Sequence, residues 1–155
     1  MAELAAEEQV EIAASAAVVW AYRLDFTNLP AYNPDVSGVE RVAAGSGPGG
    51  AAGVGARYAF DLATQRGPHP VTLAITGALE NESVSASMAG GLAANETFVV
   101  TALGEGRCRA TLSLWLELPT GLAPEAARRL LAGGRAQIRG ELDAMRSVLE
   151  AAPAR

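Results

Sequence analysis

Apolar and polar positions alternate from Glu8 to Ala13, where Val10 and Ile12 stand between charged or polar neighbours, the period-two signature of a short strand. Ser15 then occupies a position suited to a helix N-cap, where its hydroxyl accepts a free backbone N–H of the first turn. Val18, Val19 and Tyr22 follow at near-helical spacing, with Trp20 among them, and predict a helix from Ala16 to about Leu24. Asp25 opens a second helical turn. Pro30 and Pro34 hold it to a few residues, because proline lacks the N–H that a continuing helix needs.

From Val36 the pattern becomes that of a sheet. Val36 to Ala44 reads as a strand with Val39 and Val42 as apolar positions, and Gly45 to Gly53 as a glycine-rich loop. Val54, Ala56, Tyr58, Phe60 and Leu62 share one face of the next strand, opposite Arg57 and Asp61. Gly67-Pro68-His69-Pro70 reads as a turn, followed by Val71, Leu73 and Ile75 at period two. Val84, Ala86 and Met88 alternate with serines after a turn at Asn81-Glu82. Leu92, Ala94, Glu96, Phe98 and Val100 share the face of the strand after Gly90-Gly91. Gly104-Glu105-Gly106 closes that hairpin. The last strand, Arg107 to Leu118, sets Ala110, Leu112, Leu114, Leu116 and Leu118 against Arg109, Thr111, Ser113, Trp115 and Glu117.

Pro124 suits the first turn of a helix, which is expected to run to Ala151. Leu130 or Leu131, Gly134, Ile138, Leu142, Met145 and Leu149 form its apolar stripe. Gly133 and Gly134 interrupt it, each costing about 1 kcal/mol relative to alanine. One strand, two short helices, six antiparallel strands and a long helix predict an α+β fold. A meander of this size has one face to bury, and only the long helix is large enough to cover it. The expected architecture is a curved antiparallel sheet of about seven strands around the C-terminal helix, in one domain over residues 1–155.

Composition narrows the chemistry. Half of the 155 residues are apolar, enough for a sizeable core, and twelve basic against seventeen acidic residues leave a net charge of −5. Such a surface repels phosphate backbones and anionic lipid, so neither a nucleic-acid partner nor stable membrane insertion is expected. A lone cysteine, Cys108, and a lone histidine, His69, exclude an internal disulfide, a CxxC site and a multi-histidine metal site. Neither a metal nor a cofactor is expected. All the basic residues are arginine and about a fifth of the chain is alanine, which reads as the coding bias of a GC-rich, bacterial source. Met1 to Glu11 carries four glutamates and no basic residue, unlike a secretory leader, and Ile12 to Tyr22 is too short to span a bilayer. A cytoplasmic protein is the expectation. The acceptor patterns at Asn81 and Asn95 are then chance matches.

Several of these residues together resemble the START/polyketide-cyclase superfamily, which includes the birch-pollen allergen. They are Val10-Glu11-Ile12-Ala13-Ala14-Ser15 with Val18-Val19-Trp20, then Asp25 to Pro34, then Val36, Val39 and Glu40. Gly53-x-Gly55-x-x-Tyr58 and Gly106-Arg107-Cys108-Arg109-Ala110-Thr111 extend the likeness to nearly the whole chain, from about Gln9 to Leu149. Tyr32 stands where tryptophan is common in the family, and Cys108 where threonine is. The resemblance implies a helix-grip fold around an internal cavity. Its members include carriers of lipids and hydrophobic ligands, aromatic polyketide cyclases and dehydrases, hormone receptors and co-chaperone-like proteins. Function therefore has to be argued from the site.

Gly45-Ser46-Gly47-Pro48-Gly49-Gly50 matches G-x-G-x-x-G, but a strand follows it where a dinucleotide site needs a helix. It reads instead as a loop, in this fold a flexible lid at the cavity mouth. His69 reads as an exposed turn residue. Cys108, between two arginines that would lower its pKa, is expected to face outward. The cavity is expected to be lined by Tyr58, Phe60, Leu73, Ile75, Met88, Phe98, Leu114 and Leu116 from the sheet, with Gly134 and Ile138 from the helix. Eight aromatic residues and many alanines fill a wide sheet poorly, and Gly134 stands where a large side chain is expected. Glu96 and Tyr58 are the candidate acid/base groups: an inward Glu96 has a raised pKa, unless it lies at the rim or pairs with an arginine. Arg135 and Arg139 belong either to the cavity mouth or to the solvated face of the helix. Trp115, on the outer sheet face, points to a subunit contact and hence a homodimer. The leading functional reading is binding or transport of a small hydrophobic, aromatic or lipid-like molecule. A cyclase or dehydrase using Glu96 and Tyr58 is the alternative, and a co-chaperone-like interaction module a third.

Overall fold

A computed structural model describes residues 2–91 and 93–151; Leu92, assigned above to an inward face, lies outside the described residues. Ser15 caps the first helix as expected, its Oγ accepting the Val18 N–H at 3.2 Å. The elements run β1 (Ala2–Ile12), α1 (Ala16–Leu24), a 3-10 turn (Phe26–Ala31), β2 (Val36–Ala43), β3 (Arg57–Thr64), β4 (Gly67–Leu79), β5 (Ser83–Ala89), β6 (Ala94–Gly104), β7 (Arg107–Glu117) and α2 (Pro124–Ala151). A further 3-10 turn, Gly50–Ala52, lies in the glycine-rich loop. The strands form one antiparallel sheet in the order β1-β7-β6-β5-β4-β3-β2. This is the helix-grip architecture, with α2 packed on β1 and β7 and α1 closing the sheet over β5 to β7.

Several local expectations change. β1 begins six residues earlier than its alternation suggests, because Ala2 to Glu7 carry little hydrophobic contrast and are held by pairing with β7. The register shifts between Leu4 and Ala6, so Ala5 is a bulge. The bulge turns Leu4 outward, 52% exposed beside Trp115, while Ala5 and Ala6 are both buried. The predicted Gly67–Pro70 turn is strand, and the chain reverses at Gln65-Arg66. Pro68 and Pro70 pair with Ala63 and Asp61 of β3, but β5 joins β4 only from Thr72 onward. The prolines therefore occupy an edge, where a missing N–H is tolerated.

Cys108 is wholly buried, not outward. It has the same parity as Ala110, Leu112 and Leu114, so alternation itself places it inside. On α1 the buried residues are Val19, Trp20, Arg23 and Leu24, while Val18 is 53% exposed. The inward stripe thus includes a charged residue that the apolar pattern passes over. Trp20 fastens this helix to the sheet through Nε1, which donates to the Ser83 carbonyl at 2.9 Å.

Candidate functional site

The space gripped between sheet and helix has two ends. At one, α1 and the Ile138, Leu142 and Met145 side chains of α2 fill it solidly against Phe98, Leu112, Ala110 and Ile12. At the other, the first half of α2 roofs a cavity of about 470 Å³. Phe60, Leu73, Met88, Ala94, Leu114 and Leu116 line it from the sheet. Phe26, Leu29 and Val36 close its side, and Leu130, Gly133 and Gly134 lie on the helix above. Thr64, His69, Gly91 and Arg129 line it as well, all of them exposed.

Tyr58, Ile75, Phe98 and Ile138, which share faces with these residues, do not line the cavity. Each is at most 2% exposed within the solid end. The Tyr58 ring lies against Phe26 at 5.9 Å between centroids, and the Arg23 guanidinium covers Phe98. Strand alternation specifies a face but not how far along the strand the filled core extends. The Tyr58 hydroxyl is sealed without a hydrogen-bond partner among the described residues, so a ligand in the cavity does not reach it.

Glu96 does line the cavity, at its deep end, and both features weighed for it hold together: it is inward and it is paired with an arginine. Arg23 Nη2 donates to Glu96 Oε1 at 2.6 Å and Arg23 Nη1 to Glu141 Oε1 at 3.1 Å. Asn33 Nδ2 and Gln137 Nε2 donate to Glu141 Oε2 at 2.8 and 3.3 Å. Arg23, Glu96 and Glu141 are 1%, 7% and 5% exposed. The guanidinium also lies over the rings of Phe26, Tyr32 and Phe98, 5.1 to 5.4 Å from their centroids.

The electrostatics follow from one cation facing two carboxylates away from water. Burial pushes the Glu96 carboxyl above its ordinary pKa; Arg23 opposes that shift and Glu141 adds to it. Burial disfavours the Arg23 charge, but Glu96, Tyr32 and Glu141 outweigh it and hold the guanidinium protonated. Burial likewise raises the Tyr32 phenol. Among the described residues both Glu141 oxygens are occupied by donors, whereas only one Glu96 oxygen is.

The remaining residues fall outside this cluster. His69 is in β4, with Nε2 hydrogen-bonded to the Gly90 carbonyl, and no carboxylate orients it among the described residues. Burial raises the Cys108 thiol pKa, opposite to the expected effect of its arginine neighbours. Arg139 reaches Asp143 at 2.6 Å and Glu8 at 3.6 Å on the solvated side of α2, and Arg135 is exposed, so Arg129 rather than either of these lines the cavity. The glycine-rich loop packs on α1, with Gly49 against Leu24 and Trp20, and does not line the cavity; the lid role falls away. Gly134 has a packing reason as well: a Cβ there would lie 3.1 Å from Leu114 Cδ2 and 3.3 Å from the bulged Ala5. Trp115 is half-buried on the outer face, as alternation assigned it.

Arg23, Asn33 and Glu141 were not singled out from sequence. Two of them had a signal: Arg23 is three residues after Trp20, and Glu141 three after Ile138, so both continue buried helical stripes. Asn33 had none, because the 3-10 turn that aims it has no periodicity.

A curved sheet gripping a long helix around an internal cavity defines a helix-grip protein. The chain belongs to the polyketide cyclase/dehydrase and lipid transport family, whose pattern it matches over residues 3–150. Its structure is similar to that of a START superfamily protein from Mycobacterium smegmatis, with 20% identity and TM-score 0.76 over 94% of this chain and 96% of that one. A Streptomyces aromatase/cyclase, Zhui, is 16% identical with TM-score 0.77, over 97% and 94%. Norcoclaurine synthase from Thalictrum flavum is 15% identical with TM-score 0.69, over 99% and 96%. At these identities the likeness is one of fold. Comparison with curated proteins returned no match. No described helix is long and apolar enough to cross a membrane.

Proposed function

We propose that this protein binds a small hydrophobic molecule, aromatic or lipid-like, in the cavity beneath the first half of α2, and serves as its carrier. The observation that carries this reading is the cavity itself: about 470 Å³, walled largely by apolar side chains. Small-molecule sites span roughly 300–1,000 Å³ and have this character. Each Å² of apolar ligand surface removed from water contributes about 25 cal/mol, so an apolar body supplies most of the affinity where polar anchors are few. The test is titration with an apolar fluorescent probe. Wild type is expected to bind one molecule, and Ala94→Trp, which places an indole between Met88 and Leu116, to remain folded and bind none. Equal binding by both proteins would show that the probe sits elsewhere.

A cyclase or dehydrase is the second reading, favoured by the Glu96 oxygen left without a donor on a carboxyl whose proton affinity burial raises. Tyr58, the other acid/base candidate, is sealed from the cavity. The enzyme reading requires turnover of a polyketide-like substrate that Glu96→Gln abolishes while binding persists. Unchanged turnover in that variant would remove Glu96 from the chemistry.

A further inference from the structure

We infer that the ligand carries a hydrogen-bond donor, a hydroxyl or a protonated amine, on its apolar body and seats that donor on Glu96 Oε2 at the deep end of the cavity. This rests on the reading of the cavity as a ligand site and adds the ligand's polarity and direction.

The hydrogen-bond inventory supports it. Both terminal nitrogens of Arg23 are committed to carboxylates, and the amides of Asn33 and Gln137 are committed to Glu141. Glu141 thereby has both oxygens engaged. Among the described residues Glu96 has only Oε1 engaged, by Arg23, and it lines the cavity. The sealed polar atoms without a partner among the described residues are Arg23 Nε and the Tyr32 and Tyr58 hydroxyls; Glu96 Oε2 is not one of them, so it is open to the cavity and free to accept from a donor that the ligand brings. The charge count points the same way. One guanidinium stands against two carboxylates, so the buried floor has an excess of negative charge that repels an anionic head and attracts a donor or a cation.

The position of the other charges gives the direction. Arg129 lines the cavity from an exposed position in the first turns of α2, twelve residues before Glu141. At about 1.5 Å per residue the two are about 18 Å apart along the helix. The cavity therefore has its carboxylates at the floor and an arginine toward its exposed side, and a ligand with a donor at one end has one preferred orientation.

Four probes sharing a naphthalene body test this: the aminomethyl, hydroxymethyl and methoxymethyl derivatives and the carboxylate. Affinities are read by calorimetry in weakly alkaline buffer. The amine and the alcohol are expected to bind wild type at least about tenfold more tightly than the ether, with the carboxylate weakest; a tighter amine identifies the cation as the natural head, a tighter alcohol the hydroxyl. In Glu96→Gln the side-chain carbonyl stays on Arg23 and the amide N–H₂ faces the cavity, so the preference for the amine and alcohol should disappear while the ether still binds. This variant keeps Arg23 paired with Glu141 and removes the excess negative charge of the floor together with the acceptor. Equal wild-type affinity for ether, alcohol and amine, or an unchanged ratio in Glu96→Gln, overturns the inference and leaves the ligand cavity standing. Binding of none of the four to wild type overturns the cavity reading and the inference with it. Should Glu96→Gln fail to fold, the wild-type ratios decide alone.

Discussion

The Arg23 guanidinium of α1 and the Glu96 carboxylate of β6 meet at 2.6 Å with both side chains almost wholly out of solvent, across 73 residues of sequence. Such a pair repays the desolvation of its charges only while it is complete, and a second carboxylate, Glu141, depends on the same cation.

Arg23→Met is therefore expected to destabilise the fold by about 3–5 kcal/mol, the usual cost of leaving a buried charge without its partner. Two carboxylates would then face each other without a cation, and protonation relieves them. Urea unfolding at neutral and acidic pH checks this: the deficit should be largest at neutral pH and shrink on acidification. A deficit independent of pH would assign the loss to packing over Phe26, Tyr32 and Phe98.

Glu96 makes a prediction about pH in the wild-type protein. Its carboxyl is raised above 4.5 in the folded state, so the folded protein holds that proton more tightly than the unfolded chain. Stability from this group is full below the unfolded pKa and is lost as pH rises from 4.5 through the raised value. The slope approaches about 1.4 kcal/mol per pH unit within that window. Glu96→Gln should lack this component, which paired pH series of unfolding free energies would show.

Adjacent glycines on α2 should respond in opposite ways. A methyl group added at Gly133 would meet open space, so Gly133→Ala should stabilise by about 0.5–1 kcal/mol through helix propensity. Gly134→Ala places its Cβ 3.1 Å from Leu114 and 3.3 Å from Ala5, which should cancel that gain or reverse it. Thermal unfolding of the two variants side by side provides the comparison.

Cys108 is wholly buried and its thiol pKa is raised by burial. Native protein should thus react with a thiol-specific disulfide reagent far more slowly than protein unfolded in urea. Equal rates would place the thiol at the surface.

Much of the fold was legible in period and punctuation. The 28-residue α2, Pro124 to Ala151, follows from one proline and the apolar stripe that ends at Leu149, and Ser15 caps α1 as its chemistry predicts. β1 was too short on alternation alone, because alanines at positions 2, 5 and 6 carry little contrast. The strand at Gly67–Pro70 was hidden because two prolines read as a turn until the neighbouring strand is known to end at Ala89. Of the inward residues, Phe60, Leu73, Met88, Leu114 and Leu116 line the cavity, whereas Tyr58, Ile75, Phe98 and Ile138 belong to the filled end.

By itself the sequence determined the order in which strands and helices follow and the inward face of most strands, because those depend on local period, caps and turns. It also put Glu96 on the inward face. Only the tertiary structure decided where along that face the core stops and the cavity begins, because this depends on where α1 and α2 come to lie on the sheet. It alone brought Arg23, Asn33, Glu96 and Glu141 together from four separate segments, since a buried charge cluster is held by contacts that no local pattern encodes.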